Sequence, residues 1–118
     1  MMKILFIDDD INILKSYKRI ITSSEIDADF VDNPSNFYEY LNSDNYDLVI
    51  MDIAMKDING LDLLSEMKDK GIDLNVILLT GLKDTAIQQI GKELGAIEIL
   101  EKPISREMLL KTINKYRE

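Results

Sequence analysis

The chain has 118 residues, with 14 Lys and Arg against 22 Asp and Glu, for a formal net charge of −8. It holds neither Cys nor His, which excludes disulfides, thiolate or imidazole metal sites, Ser-His-Asp chemistry and a phosphohistidine on this chain. The acidic field repels phosphate backbones and argues against direct nucleic-acid binding, and the apolar runs are too short to cross a bilayer.

The opening "MMKILFIDDD" has a short apolar run cut off by acid and is no signal peptide, so a cytoplasmic protein is expected. "KILFI" (3–7) reads as a buried strand, followed by a helix from Asn12 to about Ser23 with Leu14, Tyr17 and Ile21 on one face. "ADFV" (28–31) is a second, shorter strand, and Pro34 suits the first turn of a helix that turns Phe37, Tyr40 and Leu41 inward. "LVIMD" (48–52) is nearly all apolar, as a central parallel strand should be. After Asn59-Gly60, which reads as turn chemistry, Leu61, Leu64 and Met67 have the spacing of one helical face.

"NVILLT" (75–80) is a fourth strand, and a helix from about Asp84 carries Ile87, Ile90 and Leu94. "IEIL" (97–100) is the fifth strand, and a last helix from about Arg106 to Tyr116 turns Leu109 and Ile113 inward. Strands alternating with helices imply a parallel sheet covered on both faces, because parallel neighbours need crossover connections. With no linker, low-complexity segment or repeat, residues 1–118 are expected to form one α/β domain.

In open α/β sheets, sites form beyond the carboxyl ends of the strands. Those ends carry Asp8 and Asp9, then Asp52, Thr80, and the segment Glu101-Lys102-Pro103. Carboxylates about 4 Å apart repel by roughly 4 kcal/mol per pair at an effective dielectric near 20, so the cluster calls for a cation. Oxygen ligands without imidazole or thiolate favour a hard ion, Mg²⁺ or Ca²⁺. A carboxylate beside Mg²⁺, with a hydroxyl and an ammonium to receive phosphoryl oxygens, describes formation of an aspartyl phosphate.

Across essentially its whole length the chain resembles a response-regulator receiver domain, the phosphoacceptor module of two-component signalling. The motifs that carry the resemblance are "ILFIDDD", "YDLVIMDIAMKDINGLDLL", "VILLTG" and "GAIEILEKP", in that order. It implies a flavodoxin-like, doubly wound (βα)5 fold with strand order 2-1-3-4-5. It implies phosphorylation of Asp52 by a sensor histidine kinase or histidine phosphotransfer protein, with Mg²⁺ as cofactor and a downstream effector protein or domain as the readout. Carried over residue by residue, Asp9 and Asp52 would hold Mg²⁺ directly, Asp8 through water, and the Ala54 backbone carbonyl would be a further ligand. Thr80 would bond a phosphoryl oxygen, Lys102 would pair with the phosphoryl group, and the Lys102-Pro103 bond would be cis. Such a domain catalyses its own phosphorylation and dephosphorylation without an external product, and is a signalling module rather than an enzyme.

Three positions depart from the usual pattern. Lys56 stands where receivers usually carry proline, Gly81 where alanine is common, and Ile99 where many carry the aromatic partner of Thr80 in the conformational switch. The resemblance also implies that Ala54 and Leu82, two residues beyond Asp52 and Thr80, stand where phosphoryl lifetime is influenced; neither can position a water by hydrogen bonding, so slow hydrolysis is expected. Asp10 is expected to serve the start of the first helix rather than a metal. An EF-hand is rejected: Asp8, Asp10 and Asn12 fit its start, but Ile13 replaces the required glycine and Arg19 the bidentate glutamate. Two alternatives stay open, a degenerate receiver that only binds proteins and a small haloacid-dehalogenase-like phosphatase.

Overall fold

The computed structural model describes residues 2–22 and 25–117. Among these, five parallel strands form one sheet in the order β2-β1-β3-β4-β5. In chain order the elements are β1 (Met2–Ile7), α1 (Ile11–Ile21), β2 (Ile26–Val31), a 3-10 turn (Pro34–Asn36) running into α2 (Phe37–Ser43), and β3 (Leu48–Asp52). There follow α3 (Gly60–Asp69), β4 (Asn75–Thr80), α4 (Thr85–Glu93), β5 (Glu98–Glu101) and α5 (Arg106–Lys115). This is the doubly wound, flavodoxin-like arrangement that the motifs implied. The expected end of the first helix at Ser23 lies outside the described residues.

Side chains alternate across the three central strands because the strand period is two. Leu5, Ile7, Val49, Met51, Val76 and Leu78 face one core, which also holds Phe37, Leu63, Leu64 and Met67 of α2 and α3. Ile4, Phe6, Leu48, Ile50, Ile77 and Leu79 face the other, against Leu14, Tyr17 and Ile21 of α1 and Leu109 and Ile113 of α5. A rim of Asp8, Asp52 and Thr80 caps these apolar columns, all three buried.

Two helical faces differ from the expected ones. In α3 the buried set is Gly60, Leu63, Leu64 and Met67, while Leu61 is only half-buried at the flank. At about 100° per residue these four positions cluster on one side and Leu61 falls outside them. In α4 the buried residue is Gly91, and Ile90 is 45% exposed. A Cβ built on Gly91 would lie 2.5 Å from Ile99 Cδ1 and 3.2 Å from Leu78 Cδ1. The helix therefore comes down on the sheet at Gly91, with Ile87 and Leu94 flanking it, and Ile90 is rotated towards solvent.

At the far end of the sheet Lys3 gathers Asp44, Asp27 at 3.4 Å and Asp29 at 3.8 Å, which ties β1 to β2 and to the loop before β3. At the opposite rim Lys102 holds the corresponding place beside Asp8 and Asp52.

Candidate functional site

Asp8 follows the end of β1 and Asp52 closes β3, one strand over in the sheet. Both continue the columns that face α1 and α5, so two carboxyls arrive on one rim although 44 positions separate them in sequence. Asp9 is the exposed member of the group. A carboxylate oxygen from each of Asp8, Asp9 and Asp52 lies within 4.8 Å of the other two. Lys102, just beyond β5, reaches back across the sheet to Asp52 Oδ2 at 3.2 Å and Asp8 Oδ2 at 3.4 Å.

Three carboxylates thus face one ammonium. Burial pushes the Asp52 carboxyl above the ordinary carboxylate range; Lys102 and the Ala54 N–H oppose that, and Asp9 adds to it. Burial also raises Asp8, where the Asp10 N–H and Lys102 pull the other way and the charge of Asp52 adds to the rise. Asp52 Oδ1 is buried and has no hydrogen-bond partner among the described residues. A buried acceptor left unpaired costs about 1–3 kcal/mol, which marks a place built for a ligand or a transient partner. The donor set is oxygen only, partly buried, and in excess of its local cation, which fits a small hard divalent ion such as Mg²⁺.

Asp10 stands apart from this cluster. It is the N-cap of α1, and its Oδ1 accepts the N–H groups of Asn12 at 2.9 Å and Ile13 at 3.4 Å. Its own backbone N–H donates to Asp8 Oδ1 at 2.9 Å. Asp10→Ala removes the cap and keeps that N–H. It is expected to cost about 1 kcal/mol in urea unfolding while Mg²⁺ affinity, followed by calorimetric titration, stays unchanged.

Thr80 ends β4 next to Asp52, whose register partner is Leu79. Its described hydrogen bonds run along its own loop: Oγ1 accepts the Leu82 N–H at 3.1 Å. The strand period places Thr80 in the column of Val76 and Leu78, on the sheet face that carries α4, whereas Asp52 continues the other column. Ile99, also on the α4 side, is half-buried and wedges towards Gly91. The Lys102-Pro103 bond is cis.

Three participants gave no clear signal in the sequence. The Lys56 backbone N–H donates to Asp9 Oδ2 at 2.5 Å. Gly60 lies directly on the Asp52 carbonyl, where a Cβ would sit 2.4 Å from that oxygen. Tyr17 is buried beneath the acidic pair, and burial, followed by the charges of Asp8 and Asp52, holds its phenol well above the usual range. Helical spacing had placed Tyr17 in the core, and the departure from proline at position 56 was the only hint that this loop differs.

A profile of the response regulator receiver domain family matches residues 4–114. The chain is 36% identical over 109 residues to the probable transcriptional regulatory protein SilR of Salmonella typhimurium, covering 92% of this chain and 48% of that protein. It is 31% identical, with the same coverage, to the transcriptional regulatory protein CusR of Escherichia coli. The chain spans about half the length of these curated relatives. Among solved structures, the receiver domain of the Francisella response regulator 1452 superposes with a TM-score of 0.91 at 28% identity, covering 98% of this chain and 96% of that one. A receiver domain protein from Clostridium thermocellum gives 0.86 at 30% identity, covering 98% and 94%. No helix among the described residues is long and apolar enough to cross a membrane. The acidic rim on a doubly wound sheet and the family profile that spans it agree: this chain belongs to the response regulator receiver domain family.

Proposed function

We propose that the chain is a phosphoacceptor, taking a phosphoryl group onto Asp52 from the phosphohistidine of a sensor histidine kinase or histidine phosphotransfer protein, with Mg²⁺ as cofactor. One observation carries the reading. Asp52 is 4% exposed, one of its oxygens is unpaired, and the other lies against Lys102 at a rim with two further carboxylates. Asp9 and Asp52 would hold the cation directly, Asp8 through water, and the Ala54 carbonyl would complete the protein ligands. When bound, Mg²⁺ neutralises charge that gathers on the phosphoryl oxygens.

The chain's own residues do the rest. An Asp52 oxygen forms a bond to phosphorus in line as the partner's P–N bond breaks, and the electron pair of that bond stays on the partner's imidazole. Lys102 already spans Asp8 and Asp52, so a short swing brings its ammonium onto a phosphoryl oxygen. Thr80 must turn its hydroxyl hydrogen away from the Leu82 carbonyl, 3.5 Å off, to donate to another of those oxygens. That movement would be felt through Ile99 and Gly91 at the surface formed by α4, β5 and α5, shifting the population of a form that an effector binds. Ala54 and Leu82 are exposed and apolar and offer an attacking water no side-chain hydrogen bond, so the phosphoryl group should be long-lived.

The module is self-phosphorylating and self-dephosphorylating and serves signalling rather than turnover. Residues 1–118 act as one cytoplasmic domain, and the relatives named transcriptional regulators support gene expression as the eventual output, reached through an effector protein or domain.

Intact mass after incubation with a small phosphodonor tests this, with and without Mg²⁺, on wild type and Asp52→Asn. One Mg²⁺-dependent phosphoryl adduct is expected, absent from the variant. A folded wild type that takes no adduct would favour the degenerate binding module. A phosphoenzyme trapped during phosphate-ester turnover and lost in Asp8→Asn but not in Asp52→Asn would favour the phosphatase.

A further inference from the structure

The three carboxylates of the rim are not held equally. Asp8 is fixed by the Asp10 N–H at 2.9 Å and Lys102 at 3.4 Å, and Asp52 is buried against Lys102 at 3.2 Å. Asp9 is exposed, and the hydrogen bond described for its side chain comes from the Lys56 backbone N–H, 47 positions away, at 2.5 Å. That donor sits in a braced loop. The Ile53 N–H bonds the Leu79 carbonyl at 2.9 Å, the Gly60 N–H bonds the Ile53 carbonyl at 2.7 Å, and Ala54 and Asn59 form an antiparallel bridge. Asn59 Oδ1 accepts the Leu61 N–H at 2.7 Å and fixes the start of α3.

We propose that the Lys56 peptide N–H is a positioning group that orients the Asp9 carboxylate for the divalent cation. The proposal rests on the cation-binding reading above. An N–H on Oδ2 leaves Oδ1 free to turn into the cluster, and it removes rotamer freedom that an exposed aspartate would otherwise lose on binding. A hydrogen bond from a peptide N–H to an ionised carboxylate is about twice as strong as a neutral one, which suits a second contact behind a metal ligand. Position 56 can do this only because its residue is not proline, which has no N–H to give. The Lys56 side chain is exposed and plays no part in the contact, so the function of this position lies in its backbone.

The experiment compares Lys56→Pro with Lys56→Ala, which lose the same charge but differ in the N–H. Mg²⁺ affinity is measured by calorimetric titration at fixed pH and ionic strength. Amide hydrogen exchange at residue 56 is measured in the metal-free protein, for wild type and Asp9→Ala. The proline variant is expected to bind Mg²⁺ about 10-fold more weakly than the alanine variant, the scale typical of lost outer-shell partners. The Lys56 amide is expected to be protected in wild type and to exchange freely once Asp9 is truncated. Equal Mg²⁺ affinity in the two Lys56 variants would overturn the proposal, as would an amide whose exchange ignores Asp9. If the proline variant does not fold, the exchange comparison decides. A wild type that binds no Mg²⁺ would sink the cation reading itself, and the metal-free exchange data would then still report whether Lys56 holds Asp9.

Discussion

Gly60→Ala is expected to lower the melting temperature by roughly 10 °C and to disturb the site without touching any of its side chains. The added methyl would lie 2.4 Å from the Asp52 carbonyl oxygen and 2.8 Å from Ile53 Cα, both backbone atoms that cannot swing away. Relief requires either lifting the first turn of α3 or bending the chain just after Asp52. Lifting α3 breaks the 2.7 Å bond from the Gly60 N–H to the Ile53 carbonyl and loosens Leu63, Leu64 and Met67 in the core. Bending the chain displaces Asp52 from Lys102 and carries the Lys56 N–H away from Asp9. Overpacking of this kind costs about 1–3 kcal/mol, and for a chain of this size each kcal/mol shifts the midpoint by roughly 4 °C. Thermal unfolding by circular dichroism measures the first effect, and Mg²⁺ titration of the folded variant the second. A variant as stable as wild type, with unchanged Mg²⁺ affinity, would show that the loop yields at no cost.

That close approach is also where reading the sequence stopped short. Asn59-Gly60 looks like turn chemistry, yet Gly60 does not use the left-handed region that turns demand; among the described glycines only Gly71 and Gly95 do. Its lack of a side chain serves the return of the loop onto the end of its own strand, at Asp52 and Ile53, which residue type does not announce. Two central strands were legible to the residue, β3 and β4, whose apolar runs are bounded by polar positions and buried on both faces, while β1 begins one residue earlier than expected, at Met2. The edge strands were not. β2 pairs with β1 alone and begins two residues earlier than its apolar run, at Ile26-Asp27, because an edge strand tolerates outward polar residues. β5 is shifted by one position and ends in Glu101, exposed on the other edge.

Within the acidic run, Asp10 fell to the helix start once Asp8 and Asp9 were given to a cation, and it does cap α1 through two N–H bonds. The grouping of Asp8, Asp9 and Asp52 followed from strand ends once a parallel sheet was inferred, and the 4.8 Å cluster agrees. The Lys56 N–H could not be foreseen, since a backbone donor leaves no mark in residue type except the absence of proline. Nor could the wedge of Ile99 towards Gly91, because helical spacing favoured Ile90 and gave no weight to a residue without a side chain.

The charge on the rim yields the other large effect. With the divalent ion chelated, Asp52→Asn is expected to be more stable than wild type near neutral pH, by about 1–2 kcal/mol or roughly 4–8 °C. Asp8 and Asp52 are both raised above the ordinary aspartate range, burial being the first cause in each. A carboxyl whose folded pKa lies above its unfolded value weakens folding as pH rises from the unfolded value through the folded one. Below that window both states are protonated and the deficit vanishes; above it the full deficit remains. Asn at position 52 removes one buried charge and its repulsion with Asp8, while Lys102 keeps Asp8 as a partner at 3.4 Å. The stability gap between variant and wild type should therefore be small near pH 4 and widen towards pH 7. Taking the difference between the two proteins cancels groups with the opposite dependence, such as Glu98, which Tyr116 and Lys115 hold below its usual range. Excess Mg²⁺ should then narrow or reverse the gap, since an ion at about 100 times its Kd stabilises the native form by about 2.7 kcal/mol, and wild type has the fuller ligand set. Urea and thermal unfolding from pH 4 to 8, in chelator and in Mg²⁺, give both readings. An Asn variant less stable than wild type in chelator at pH 7 would mean that Lys102 already compensates the rim, and that the carboxylates need no further cation to coexist.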